Sequence, residues 1–163
     1  MHNHNIFDFE KYRILKEETA LGYQKIVSVF CPALKSKVIF NAKGLHHLRY
    51  DFSGAERPKK SQYIKFLYLP KAVEIIKTST TIQEYRRGIC PVDHPDKNGY
   101  KRTSSIEWFG MFAIISFSKK IRLRTVIRRI GAEDGLYHFW SVIPFWTLSN
   151  NQRIIGEKQI ENE

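Results

Sequence analysis

The hydrophobic and polar positions divide the chain into a helical first half and a strand-rich second half. Apolar residues recur every three or four positions over 9–27, which predicts an amphipathic helix. A second helix is predicted over 42–51, directly after an asparagine that suits the N-cap. Helices are also predicted over 60–68 and 71–77, because Pro70 is well suited to the first turn of a new helix.

The second half shows the patterns of β-strands. The run 108–117 is apolar on both faces and is predicted to be a central strand. Alternating runs follow at 120–130 and 136–146, and a β-like run precedes them at 81–88. Helices first and strands last indicate an α+β fold, in which N-terminal helices pack on a four-stranded antiparallel sheet.

Three regions are expected along the chain. Residues 1–35 form an N-terminal helical extension, 36–149 the principal domain, and 150–163 a flexible polar tail. Loops are predicted at 53–60, which is basic, and at 90–104, which is rich in Pro, Asp, Asn and Gly.

Charge narrows the class of partner. The 163 residues include 27 Lys and Arg against 16 Asp and Glu, a net charge of +11, which attracts polyanions such as RNA. A merely soluble basic surface is the alternative. Cys31 and Cys90 fit buried thiols in a reducing compartment. The start, Met1 to Asn5, has no apolar run, and no stretch reaches the ~18 apolar residues of a membrane helix, so a cytoplasmic protein without membrane association is expected.

The run 120–130 concentrates the positive charge. Because side chains alternate across a sheet, one face is apolar and the other carries a row of guanidinium groups. The strand has no Asp or Glu of its own, so the row cannot be neutralised locally, although a solvated face with scattered acidic partners is the alternative. Guanidinium suits the sugar–phosphate backbone. The basic face comprises Arg122, Arg124 and Arg128, and Arg86, Arg87 and Arg129 lie nearby if the strands pair in order.

Candidate chemistry centres on the helix 42–51. RNA can be cleaved without a metal or cofactor, because the ribose 2′-hydroxyl is an internal nucleophile and histidine transfers protons near neutral pH. His46 and His47 are adjacent; Lys43 lies three residues before His46 and Arg49 three after, so these three can share one side of the helix. The alternative is an ordinary amphipathic helix with one histidine packed and the other solvated. His138 is a further candidate.

The segments VIFNAKGLHHLR (38–49), LPKAVEII (69–76) and YHFWSVIP (137–144), with the order of elements, resemble the barnase–EndoU–colicin–RelE (BECR) superfamily, particularly its phage-barnase-like branch. The similarity covers roughly 36–146. It implies a metal-independent, toxin-like ribonuclease acting on tRNA or mRNA. It also implies a Lys-x-x-His pair, Lys43 and His46, a strand-borne cation, Arg124 or Arg128, and Ser141 as the serine of the last strand.

The sequence therefore predicts an endoribonuclease that cleaves RNA by 2′-hydroxyl transesterification. An acidic antitoxin or inhibitor protein is an expected partner. A catalytically silent RNA-binding or interaction module on the same fold is the alternative. The expected catalytic residues are Lys43, His46, His47, Arg124, Arg128 and Ser141. The expected RNA-binding residues are Arg49, Arg57, Lys59, Lys60, Arg86, Arg122 and Trp140.

Overall fold

The computed structural model describes residues 7–92, 94–116, 120–145 and 159–163. The fold is α+β, with three α-helices and a six-stranded sheet. The helices are α1 (Phe9–Lys25), α2 (Ala42–Arg49) and α3 (Lys59–Thr78). The strands are β1 (Ser28–Cys31), β2 (Ser36–Ile39), β3 (Glu84–Val92), β4 (Arg102–Ser116), β5 (Lys120–Ile130) and β6 (Tyr137–Phe145).

The sheet is larger than the sequence predicted, and it is mixed. Its order is β1-β2-β6-β5-β4-β3, and β2 pairs with β6 in parallel while the other neighbours are antiparallel. The prediction of four antiparallel strands holds for β3 to β6. The predicted sheet lacked β1 and β2, each of which is only four residues long and gives little periodic signal.

Two predicted boundaries were wrong. The helices expected on either side of Pro70 are one continuous helix, α3, which contains that proline. Pro70 is exposed, while nine residues of α3 are buried, so tertiary packing keeps the helix continuous despite the proline. The loop expected over 90–104 is shorter, because β3 extends to Val92 and β4 begins at Arg102.

One face of the sheet packs against α1 and α3 to form the main core. Aromatic rings dominate where the helices meet the sheet: Phe40 stacks on Phe139 at 4.8 Å between ring centroids, and Tyr23 of α1 packs against both. α1 and β1, which were assigned to an N-terminal extension, contribute Tyr12, Tyr23 and Val29 to this core. The burial of their apolar surface ties residues 9–31 to the rest of the molecule.

The opposite face of the sheet carries a second, smaller core. It is built from Ile106, Trp108, Val126 and Ile143, and Ile160 near the C-terminal end of the sequence covers it with 2% of its surface exposed. Residues 159–163 were expected in a flexible polar tail, but they pack on this face. We call this face, which also carries the arginines of β5, the cleft face.

A β-bulge in β6 shapes the cleft face. Val126 of β5 is opposite Ser141, whereas the next residue, Ile127, is opposite Phe139, so Trp140 has no direct partner. Beyond the bulge the alternation of β6 is shifted by one residue, which places Val142 in the main core and Ile143 on the cleft face.

Candidate functional site

A cavity of about 800 Å³ opens between α2 and the cleft face of the sheet, and we call it the cleft. α2 and the loop that follows it form one side of the cleft, and β3, β4, β5 and β6 form its floor. The side chains that line it combine cationic, aromatic and thiol groups. They include Lys43, His46 and His47 on α2, Asp51 and Phe52 in the loop, Cys90, Ile106, Trp108, Arg128 and Trp140 on the sheet, and Glu161.

Two local features position α2 against the sheet. The Asn41 side chain caps the helix by accepting a hydrogen bond from the Gly44 N–H at 3.1 Å, as the sequence predicted. Gly44 lets the helix approach β6, since a Cβ atom there would lie 2.6 Å from the carbonyl oxygen of Phe139. Lys43 and His46, three residues apart, are thereby held exposed along the edge of the cleft.

The two adjacent histidines have opposite environments. His46 is exposed and stacks on Tyr50 at 4.2 Å. His47 is only 3% exposed and stacks on Trp140 at 4.0 Å. Burial lowers the pKa of His47 to about 2, with further contributions from Arg57 and Lys65, so this imidazole is neutral at physiological pH. Its burial disfavours the proton-transfer role that the sequence analysis allowed it, and His46 is the better placed of the two.

Arg128 lies on the floor of the cleft and is held by an aromatic ring. Its guanidinium carbon lies 3.3 Å from the centroid of Trp140, the ring that also stacks on His47. Burial lowers the pKa of Arg128 to about 10, so the group is still charged at neutral pH. Among the residues that the structure describes, no carboxylate forms an ion pair with it. Arg128 therefore presents charge to the cleft that a bound anion can neutralise.

Arg124, on the same face of β5, differs from the prediction. It is fully buried, and its guanidinium bonds Glu84 at 3.2 Å and Glu163 at 2.8 Å. The row of arginines is thus partly neutralised by residues distant in sequence, although β5 itself has no acidic residue. Arg124 does not line the cleft.

Ser141, the other predicted residue of this region, is also fully buried. Its hydroxyl accepts a hydrogen bond from the Lys65 ammonium at 2.8 Å, and Lys65 also donates to the carbonyl of Val142 at 3.2 Å. Burial lowers the pKa of Lys65 to about 8, partly countered by Glu163. Neither Arg124 nor Ser141 is placed to contact a substrate in the cleft while Glu163 covers them.

The predicted RNA-binding residues are dispersed over the molecule. Arg57 donates to the main-chain oxygens of His47 and Tyr50, which anchors the loop after α2. Arg49 lies over the ring of Tyr50, Lys59 pairs with Glu56, and Arg122 lies 4.0 Å over the ring of Phe112. Lys60 and Arg86 are exposed, and Arg86 approaches Glu161 at 4.0 Å. Of this predicted set, only Trp140 lines the cleft.

Sequence reasoning missed two charged residues of this region, Lys65 and Glu163. Lys65 stands between Ile64 and Phe66, which are buried in α3, and a lysine among such neighbours was the available signal. Glu163 stands in a polar segment that carries no periodic pattern, so nothing local predicted its burial. The carboxylates Glu84 and Glu107 point to opposite faces: Glu84 bonds Arg124 on the cleft face, and Glu107 bonds Arg129 and Tyr85 on the helix face.

The remaining histidine candidate, His138, has a structural partner. Its Nδ1 lies 3.0 Å from the side-chain amide of Asn41, and burial lowers its pKa. Within the described ranges, no three His, Cys, Asp or Glu side chains come together as a set that could hold a metal ion. Asp93, the first residue of the segment Asp-His-Pro-Asp (93–96), lies outside the described residues.

Comparisons with protein-family models, with curated proteins and with solved structures find no match for this chain. None of the helices in the described parts of the chain is both long and apolar enough to cross a membrane. The functional argument therefore depends on the chemistry of the cleft.

Proposed function

We propose that this protein is a metal-independent endoribonuclease that cleaves RNA in the cleft between α2 and the sheet. The observation that supports this best is the composition of the cleft. An exposed histidine, His46, shares it with the cations Lys43 and Arg128 and with two tryptophan rings, those of Trp108 and Trp140. The tryptophan rings can stack on a nucleobase, the two cations can bind a phosphate, and the histidine can transfer a proton. Cleavage of RNA involves all three.

Affinity for RNA follows from charge and from aromatic surface. The net charge of +11 favours association with any polyanion. The stacked column of His47, Trp140 and Arg128 gives a rigid surface at the floor, against which a splayed base can stack. Arg128 and Lys43 would then neutralise the adjoining phosphate.

The reaction is a transesterification. The ribose 2′-oxygen attacks the adjacent phosphorus, the bond from phosphorus to the 5′-oxygen breaks, and a 2′,3′-cyclic phosphate forms. The 2′-hydroxyl loses a proton and the departing 5′-oxygen gains one. We assign proton transfer to His46, the exposed histidine of the cleft, and stabilisation of the additional negative charge on the phosphorane to Lys43 and Arg128.

The resemblance to the BECR superfamily is consistent with this assignment through Lys43 and His46, which lie on the same side of α2 and line the same cleft. Membership of the superfamily and its phage-barnase-like branch is part of the proposal. A toxin-like role would require an acidic inhibitor, or antitoxin, that covers the basic cleft in the producing cell.

A non-catalytic RNA-binding module is the second candidate. The burial of His47 favours this candidate. The reaction has two proton transfers, which two exposed histidines could supply, but only one exposed histidine lines the described cleft. Binding alone requires the cations and the rings but no titrating group.

The test is incubation of the purified protein with total tRNA and a structured mRNA in excess EDTA, followed by analysis of the product ends. We expect discrete cuts that leave 2′,3′-cyclic phosphates. His46→Ala should abolish cleavage, and Lys43→Ala should slow it by about tenfold or more, the cost of one cation at a transition-state phosphate. His94→Ala is the matched control, because His94 is exposed and does not line the cleft.

The binding arm of the experiment separates the two candidates. RNA bound by wild type and by His46→Ala equally well, with cleavage in neither, supports the binding module. Cleavage by wild type that persists in His46→Ala contradicts the assignment of His46. Cleavage that requires added divalent metal contradicts the metal-independent reaction.

A further inference from the structure

A buried carboxylate, that of Glu163, lies beside the cleft. Glu163 is 2% exposed, and its carboxylate bonds the Arg124 guanidinium at 2.8 Å and lies 3.6 Å from the Lys65 ammonium. Its main-chain oxygen accepts a hydrogen bond from the Trp140 indole N–H at 3.2 Å and contacts Nε2 of His47. Three oxygens of one residue are thus held by four nitrogen groups, and we call this arrangement the Glu163 pocket.

The pocket places two cations beside one buried carboxylate. Both Arg124 and Lys65 are partners of Glu163. Glu84 supplies a second carboxylate to Arg124, so the described walls other than Glu163 carry two cations and one anion. Arg57 adds further positive potential, since it acts on both Lys65 and His47. Glu163 raises the pKa of Lys65, so a phosphate that replaced its carboxylate would restore the charge that keeps Lys65 protonated.

The pocket and the cleft share residues. The ring of Trp140 carries Arg128 on the cleft floor, while its indole N–H reaches Glu163. His47 likewise lines the cleft and contacts Glu163. An anion in the pocket is therefore next to a ligand in the cleft.

In the described part of the chain, the segment 159–163 is short and contains a single buried apolar side chain. Residues 159–163 make a single 3₁₀ turn, and Ile160 is its buried apolar anchor on the cleft face. Glu161 and Asn162 of this turn are only partly buried. Burial of this one apolar side chain is worth about 1.5–3 kcal/mol, and an anion that takes the place of the carboxylate would restore the ion pairs with Arg124 and Lys65.

We infer that the Glu163 pocket is a phosphate-binding subsite, in which the carboxylate of Glu163 occupies the place of a phosphate group. Its oxygens would accept from Arg124 and Lys65, next to the Trp140 indole and His47, which contact the main-chain oxygen of Glu163. The inference rests on the proposed function only in that the phosphate would come from the RNA backbone; the subsite itself requires only the chemistry of its walls. Residues 159–163 then compete with the substrate for the subsite.

The experiment measures thermal unfolding against inorganic phosphate at constant ionic strength, with chloride as the compensating anion. Glu163→Gln removes the carboxylate charge and keeps the shape. Phosphate should raise its unfolding temperature, and the rise should begin at a phosphate concentration about tenfold below that required for wild type. Glu18→Gln is the matched control, because it makes the same charge change at an exposed position that lines neither the cleft nor the pocket, and it should respond as wild type does.

A structural readout locates the phosphate. In Glu163→Gln, phosphate should shift the NMR resonance of the Trp140 indole N–H, assigned by its loss in Trp140→Phe. Ile160→Ser is the second variant: it keeps Glu163, weakens the anchor, and should also bind phosphate more tightly than wild type. Equal phosphate responses in wild type, Glu163→Gln and Glu18→Gln would overturn the inference. The inference would also be overturned if neither Glu163→Gln nor Ile160→Ser folded, because residues 159–163 would then be needed for the stability of the fold.

This test is independent of cleavage. If the phosphate response appears but RNA is never cut, the subsite stands and the ribonuclease proposal fails. If RNA is cut but Glu163→Gln gains no phosphate response, the ribonuclease proposal stands and the subsite fails.

Discussion

The cleft and the Glu163 pocket are neighbouring cationic regions that differ in how the charge of their arginine is balanced. In the pocket, Arg124 is fully buried and bonds two carboxylates. In the cleft, Arg128, four residues further along the same face of β5, stacks on Trp140 and has no carboxylate partner among the described residues. Spacing along a strand thus places two arginines on one face, but the neighbours contributed by distant segments decide which one can accept a ligand.

The largest expected difference is between the two arginines. Arg124→Gln should lower the free energy of unfolding by about 3–5 kcal/mol, because it takes an ion-pair partner from the buried carboxylate of Glu163 and from the half-buried carboxylate of Glu84. Arg128→Gln should cost only about 1 kcal/mol, the scale of one cation–π contact, yet it should weaken RNA binding more. Urea unfolding and RNA-binding titrations measure both. Equal losses of stability would contradict the distinction between the two regions.

The adjacent histidines should show the same contrast at a smaller scale. His47→Ala removes a buried ring that stacks on Trp140 and should cost about 2 kcal/mol of folding free energy. His46→Ala changes an exposed side chain and should stay within about 0.5 kcal/mol of wild type while abolishing cleavage. His47→Ala should therefore lower the urea midpoint, whereas His46→Ala should abolish cleavage and leave the urea midpoint almost unchanged. A stable His47→Ala protein would show that the burial of this ring contributes little.

Acid should reveal the neutral state of His47. The unfolded chain binds a proton at this residue near pH 6.5, whereas the folded chain does so only at about pH 2. The stability due to His47 is therefore fully present above pH 6.5 and is lost as the pH falls, by about 1 kcal/mol per pH unit. Urea midpoints between pH 7.5 and 5.5 should fall for wild type and fall less for His47→Gln. Identical slopes would indicate that His47 is protonated in the folded state.

The smallest effect concerns the edge of the cleft. Lys43 is exposed, so Lys43→Ala should leave stability unchanged. If Lys43 contacts one phosphate, the slope of log affinity against log salt should decrease by about 1. Lys60→Ala is the control, since Lys60 is exposed and does not line the cleft. An unchanged slope in Lys43→Ala would remove Lys43 from the phosphate contacts.

Local patterns predicted much of the fold but only part of the site. The Asn41 cap, the exposed pair Lys43 and His46, and the alternation of β5 follow from periods of 3.6 and 2 residues, and the structure has all three. The bulge at Trp140 does not follow from alternation, because one inserted residue changes which side chains of β6 face the cleft. Whether His46 or His47 is exposed depended on which face of α2 meets β6.

Long-range charge pairing was beyond such patterns. Glu163 reaches Arg124 from 39 residues away, and Lys65 reaches Ser141 across 76. Only the folded structure shows that these cations are paired, and this pairing is why Arg124 and Ser141 lie outside the cleft.

The most direct test of the central claim uses two synthetic RNAs that span a mapped cut site and differ in a single oxygen. One has ribose at the nucleotide 5′ to the scissile phosphate, and the other has 2′-deoxyribose there. Both are incubated with wild-type protein in excess EDTA. Our account predicts that the first is cut to a 2′,3′-cyclic phosphate and that the second binds equally well but is not cut. Cleavage of the 2′-deoxy substrate would contradict transesterification in the cleft, and failure to cut either one would leave the protein an RNA-binding module.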